Sequence, residues 1–128
     1  MTPDFLTVED VLLIHQDQVE RYGGSADLRD AGLLASAVAT AEAAFDGGYL
    51  HKGLHEMAAA YLFHIVQNHP FADGNKRTGA AAALVFLDLN GVEVRADDDA
   101  LADLVIAVAS GRTGKAEVAE FLRRHARG

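Results

Sequence analysis

The chain has 128 residues, a formal charge of −8, 50% hydrophobic and 23% charged residues, and no cysteine. That length is one domain's worth, the balance excludes a disordered chain, and the missing thiols exclude disulfides, thiolate metal sites and cysteine nucleophiles. A negative field of this size disfavours direct nucleic-acid binding by the surface as a whole, because phosphate backbones attract proteins mainly through charge. No basic start with an apolar core marks a leader peptide and no apolar run approaches a membrane span, so the expectation is a single domain over residues 1–128, cytoplasmic and free of membranes.

Thr7 with Asp10 three residues on, followed by Val8, Val11, Leu12, His15 and Val19 on one stripe, predicts an N-capped amphipathic helix that Gly23-Gly24 ends. A second helix is expected to open at Asp30 and carry Leu33, Leu34, Ala37 and Val38. Phe45 to Gly53 holds two adjacent glycines with aromatics on either side, the pattern of a short hairpin or flap. Leu54 to Asn68 reads as a strongly apolar helix stopped at His69-Pro70. From about Lys76 to Leu89 runs another helix whose Gly79-Ala80-Ala81-Ala82-Ala83 stretch has almost no side chain, so it is expected to be central and closely packed. Gly91 to Arg95 suits an extended segment. Asp97, Asp98 and Asp99 complement the dipole of a helix bearing Leu101, Leu104, Val105 and Val108; their spacing matches no calcium loop. Thr113 is expected to start the last helix, and the five Arg/Lys against two Glu after Gly111 read as its solvated face. The fold class is therefore all-α, about six helices around one core with a short flap.

Between two apolar helices lies His69-Pro70-Phe71-Ala72-Asp73-Gly74-Asn75-Lys76-Arg77-Thr78-Gly79, which gathers ionisable, amide and glycine residues where no core needs them. A helix beginning near Asn75 places free backbone N–H groups and a positive dipole end under this loop, an arrangement that suits phosphate. Gly74 permits close approach or positive φ, Asn75 can cap the helix or bond the anion, and Lys76 and Arg77 supply a point charge and a planar fork. Asp73 suits a magnesium ion travelling with nucleotide phosphates, which takes only one or two protein carboxylates. His69 is the candidate base, since an imidazole titrates near neutral pH, and Phe71 reads as an apolar pin. A plain helix–helix joint explains Pro70 and Asp73-Gly74-Asn75 but gives no use for a histidine, a phenylalanine and two cations at fixed spacing.

HPFADGNKR resembles the signature of the Fic/Doc family: His, any residue, Phe, any residue, Asp or Glu, Gly, Asn, Gly or Lys, Arg. The opening FLTVEDVLLIHQDQVERYGG and the DLNG that ends the Gly79-bearing helix are similar to the Doc branch, the toxins of toxin–antitoxin pairs. The resemblance covers nearly the whole length. It implies a Fic-like helical bundle and transfer of a phosphate-containing group from ATP, with Mg2+, to a protein hydroxyl. In Fic enzymes the group is usually AMP; in the Doc branch it is the terminal phosphate, delivered to elongation factor Tu with arrest of translation. Carried over, His69 is the general base, Asp73 holds magnesium, Gly74, Asn75, Lys76 and Arg77 bind phosphates, and Arg77 also serves the reaction. Lys76 stands where AMP-transferring members have glycine and so points to phosphate transfer, while Gly74 departs from the alanine of Doc itself. Thr113 to Glu117 comes nearest to the family's self-inhibitory motif, but Val118 follows where Gly or Asn is required, so inhibition by a separate antitoxin is expected.

Two other functions fit parts of this pattern. AMP transfer would use the same residues, and a non-catalytic nucleotide- or phosphopeptide-binding module would use the cations and amides but has no need of His69. His51 and His55 stand four apart without a cysteine or an HExxH-type carboxylate to complete a metal set, and read as surface or flap residues. His15 and His64, near apolar stripes, read as satisfied histidines at the edge of the core, and His125 as tail.

Overall fold

In the computed structural model, which describes residues 2–127, the helices are α1 (Val8–Tyr22), α2 (Ala31–Ala41), α3 (Leu54–Asn68), α4 (Asn75–Leu89), α5 (Asp98–Ala109) and α6 (Lys115–Arg124). Two minimal antiparallel sheets complete the fold: β1 (Ala44–Phe45) with β2 (Gly48–Tyr49), and β3 (Glu93–Val94) with β4 (Ala126–Arg127).

The helix ends follow the residues at their caps. Thr7 Oγ1 accepts from the Asp10 N–H at 3.1 Å while the Asp10 carboxylate accepts from the Thr7 N–H at 2.8 Å, a reciprocal pair that satisfies two donors otherwise left over at the start of α1. Gly23, at φ +84°, ends it. Asp30 and Asp97 cap α2 and α5 by accepting from Leu33 N–H at 2.9 Å and Ala100 N–H at 3.3 Å. α4 begins at Asn75, as expected, behind a left-handed Gly74, whereas α6 begins at Lys115 rather than Thr113. In α6 the Glu117 carboxylate reaches back to the Gly114 N–H at 3.1 Å.

α3, not α4, is the hub: α2, α4, α5 and α6 all pack on it, and Met57, Ala58, Ala59, Ala60, Tyr61, Leu62, Ile65 and Val66 are buried. α4 is the helix pressed closest to it. A Cβ on Gly79 would stand 2.8 Å from Val66 Cγ2 and 3.1 Å from the Leu62 carbonyl oxygen, so only glycine lets the two backbones meet there. Tyr61 carries a polar tip into this core, where its hydroxyl accepts from the Leu6 N–H at 2.9 Å. Desolvation pushes that phenol up to about 12.

The expected flap is the β1–β2 hairpin, turned by Asp46 and Gly47 at φ +52° and +81°, the positive pair that a two-residue turn needs to match strand twist. Phe45 is 75% exposed on it. The extended segment after α4 pairs with the tail, Glu93 opposite Arg127 and Val94 opposite Ala126. Strands of two residues carry no readable period, so nothing in the sequence marks that pairing.

Candidate active site

α3 ends in a left-handed residue, His69 at φ 53° and ψ 52°. Pro70 disfavours the right-handed helical region for the residue before it, so the chain must leave the helix here. The carbonyls freed at this helix end are taken by one side chain: Arg29 Nε donates to the His69 oxygen at 2.6 Å and Nη2 to the Asn68 oxygen at 3.0 Å. The same segment straps the loop, with Arg29 and Asp30 N–H groups on the Pro70 oxygen, Ala72 N–H on the Asp27 oxygen at 3.0 Å, and a bridge from Leu28 to Phe71. Phe71 is fully buried, as expected of a pin.

Asn75 corrects the sequence reading. It does not cap α4 with its side chain, and it is 5% exposed. Its Oδ1 accepts from the Phe71 N–H at 3.0 Å and its Nδ2 donates to the Phe71 oxygen at 2.9 Å, so the side-chain amide closes the loop on itself. The first bond of α4 runs from the Thr78 N–H to the Gly74 oxygen at 2.9 Å. The N–H groups of Asn75, Lys76 and Arg77 therefore precede the ladder, with no partner among the described residues.

The chemistry-bearing side chains face outward. His69, Asp73, Lys76 and Arg77 are exposed. Among the described residues neither Lys76 nor Arg77 is paired with a carboxylate. Arg77 instead lies over the Tyr22 ring, its guanidinium carbon 4.8 Å from the centroid. One Asp73 oxygen accepts from the Gly74 N–H at 2.8 Å. The other lies against Gly24, where an added Cβ would collide with it, so the bare backbone of Gly24 makes the space this carboxylate occupies. Beneath the loop His15, 2% exposed, stacks on Phe71 with centroids 3.7 Å apart and puts Nε2 2.8 Å from the Asp73 carbonyl oxygen. At Gly74, φ +79°, a Cβ would stand 3.5 Å from the same Nε2, in ordinary contact with that ring.

A cavity of about 510 Å³ opens beside the loop between α1, α4 and α5. Asp73, Lys76, Arg77 and Tyr22 edge it, and Ala80, Leu84, Leu101, Val105 and Ile106 give it an apolar floor. His69 does not line it. The loop thus borders an apolar groove, and the exposed His69 stands outside its lining.

Sequence reasoning missed Arg29, Tyr22, Gly24 and the support role of His15. Each reaches the loop from about 40–60 positions away, and no local pattern announces such a contact. His51 and His64 form a separate cluster, with Lys115 Nζ 3.3 Å and 3.1 Å from their Nε2 atoms. His125 caps α6 from the tail, Nδ1 2.8 Å from the Phe121 oxygen.

Residues 5–87 match the family model described as the Fic/DOC family. Over 119 residues, 93% of both chains, the protein is 34% identical to the "Protein kinase doc" of Escherichia phage P1. Over 96 residues it is 43% identical to the "Toxin Doc" of Mycolicibacterium smegmatis, a match covering 75% of this chain and 72% of that one. The exposed loop, its motif and these relatives together place the chain in the Fic/Doc family, within the Doc branch.

Proposed function

We propose that this chain is a Doc-like toxin that moves the γ-phosphate of ATP to a hydroxyl of elongation factor Tu, arresting growth, and that a cognate antitoxin neutralises it. One observation carries the reading: the loop sets an exposed imidazole at its start and, six residues on, a helix N-terminus with three unpaired N–H groups and two exposed cations lacking acidic partners. A structural joint gains nothing from leaving two cations unpaired above a positive dipole end, whereas phosphate oxygens satisfy the N–H groups, the fork and the ammonium together.

His69 takes the proton of the attacking hydroxyl. The new O–P bond forms as the bond from the γ-phosphorus to the bridging oxygen breaks, and ADP leaves. Arg77 and Lys76 hold charge on the transferred group, where fixed donors are worth most in the transition state. Asp73 fits magnesium by its exposed carboxylate at the edge of the cavity, beside the N-terminus of α4. Among the described residues no group of three or more metal-binding side chains exists, so Asp73 would hold an ion that arrives with the donor's phosphates. Magnesium would there neutralise phosphate charge. Lys76 favours γ-transfer: a side chain fills the space that a glycine would leave for an α-phosphate, and its ammonium attracts the terminal one.

The apolar groove suits an antitoxin segment that orders on binding, an amphipathic helix laying its apolar face along Leu84, Leu101 and Val105. Among the described residues no helix is long and apolar enough to cross a membrane.

The test is to incubate the protein with elongation factor Tu and ATP labelled at either phosphorus. Label from the γ position alone is expected, reduced in Lys76→Gly. Label from the α position alone would make the protein an AMP transferase, and label from neither would leave only a nucleotide-binding module.

A further inference from the structure

His15 belongs to α1 and sits on an apolar stripe, yet the polar contact it makes is with the chemistry-bearing loop. A carbonyl oxygen only accepts, so the Nε2 atom 2.8 Å from the Asp73 oxygen carries a proton and donates it. The ring face covers Phe71 at 3.7 Å with 6° between planes. Two sides of one buried ring thus grip two points of the loop, residues 71 and 73, and a Cβ on the adjacent Gly74 would come into ordinary contact with the same nitrogen. Among the described residues the Asp73 carboxylate is held by its neighbour's N–H and by contact with Gly24, so its position depends on where the Asp73 backbone is pinned.

We infer that His15 is a positioning residue of the active site: by donating from Nε2 to the Asp73 carbonyl and stacking on Phe71, it fixes the Asp73 carboxylate and the first turn of α4 for the nucleotide's magnesium and phosphates. This rests on the proposed transfer reaction. The physical reason is leverage. His15 touches no reactant, but a residue that orients a metal ligand typically changes metal affinity or activity about 10–100-fold when replaced, and displacements on the order of 1 Å at a reacting centre cost as much.

Two variants separate the ring's two roles. His15→Phe keeps a ring on Phe71 and removes the donor; His15→Gln restores an N–H at similar reach and removes the stack. His15→Phe is expected to raise the magnesium concentration for half-maximal transfer by roughly 10-fold or more, with a melting temperature near the parent's, and His15→Gln to recover most of that loss. Parent-like magnesium dependence in a folded His15→Phe would overturn the inference, as would equal losses in both variants that track their melting temperatures.

Nitrogen NMR of the unmodified protein decides the point even where a variant fails to fold. At pH 8 the His15 ring must show its proton on Nε2, and a proton on Nδ1 alone would rule out the bond to Asp73. If the unmodified protein transfers nothing, the transfer reading fails, while the ring tautomer and the hydrogen-exchange protection of the Gly74 N–H in parent and His15→Phe still decide whether His15 holds the loop. Protection unchanged in that variant would refute it.

Discussion

Two clusters on this small molecule each bring histidine and lysine together, and they are built in opposite ways. In the loop from His69 to Gly79 the imidazole and both cations are exposed, and the cations lack carboxylate partners among the described residues. At the start of α6 the Lys115 ammonium lies between His51 and His64, and its hydrogen bonds end inside the protein. The second cluster joins the segment after the flap, α3 and α6. A cation held between two internal partners contributes to the fold, and one without partners beside a free helix end is available to a ligand. Residue type alone does not tell the two apart; partners do.

The sharpest way to break the comparison is to remove the exposed imidazole. His69→Ala should lower transfer by roughly 10²–10⁴-fold, the usual contribution of a general base, and abolish growth arrest while leaving the melting temperature almost unchanged. Full toxicity in that variant would remove His69 from the mechanism. Arg77→Ala comes next. Loss of a charged hydrogen-bonding fork costs about 1.5–3 kcal/mol, so nucleotide affinity measured by calorimetry should fall on the order of 10–100-fold. Unchanged affinity would mean that the guanidinium over Tyr22 serves only the surface of α1.

The close approach of α3 and α4 can be tested by adding one carbon. Helix propensity favours Gly79→Ala by about 1 kcal/mol, but the new Cβ would meet Val66 Cγ2 at 2.8 Å and the Leu62 carbonyl oxygen at 3.1 Å. The carbonyl belongs to a helix backbone and cannot swing aside. Overpacking of about 1–3 kcal/mol therefore outweighs the propensity gain, and denaturant titration should show net destabilisation. A more stable variant would mean that the helices have room to separate.

Much of this architecture is legible in the sequence because local rules carry it. Thr7 and Asp10 announce α1, Asp30 announces α2, and the period of Met57, Tyr61, Leu62 and Ile65 announces α3. The starts of α4 and α6 are harder to place, since Gly74 and Gly114 cap without a side chain. The loop stands out because its charges have no use in a core. Its supports do not stand out: Arg29, Tyr22, Gly24 and His15 look like a surface cation, an aromatic, a helix stop and a core histidine until folding brings them to Asn68, Arg77 and Asp73. Asn75 misleads for the opposite reason, its amide being drawn inward to Phe71 by the turn it closes.

The smallest effect lies in the internal cluster and appears only with pH. Desolvation, then the Lys115 ammonium, then His51 lower His64 to about 4, and burial followed by Lys115 lowers His51 as well. An unfolded histidine titrates near 6.5, so between that value and about 4 the unfolded chain binds more protons at residue 64 than the native one. Stability from the neutral ring is therefore fully present above pH 6.5 and is lost progressively as pH falls toward 4. Both rings are half-buried, so solvent screening reduces the effect, to about 1 kcal/mol by pH 5. His64→Gln cannot take up the proton. The melting temperature of the parent should fall more steeply than that of His64→Gln between pH 7 and pH 5, with carboxylate titrations common to both cancelling in the difference. Parallel curves would mean that His64 is as free to charge in the native state as in the unfolded one, and the Lys115 cluster would then resemble the exposed loop instead of contrasting with it.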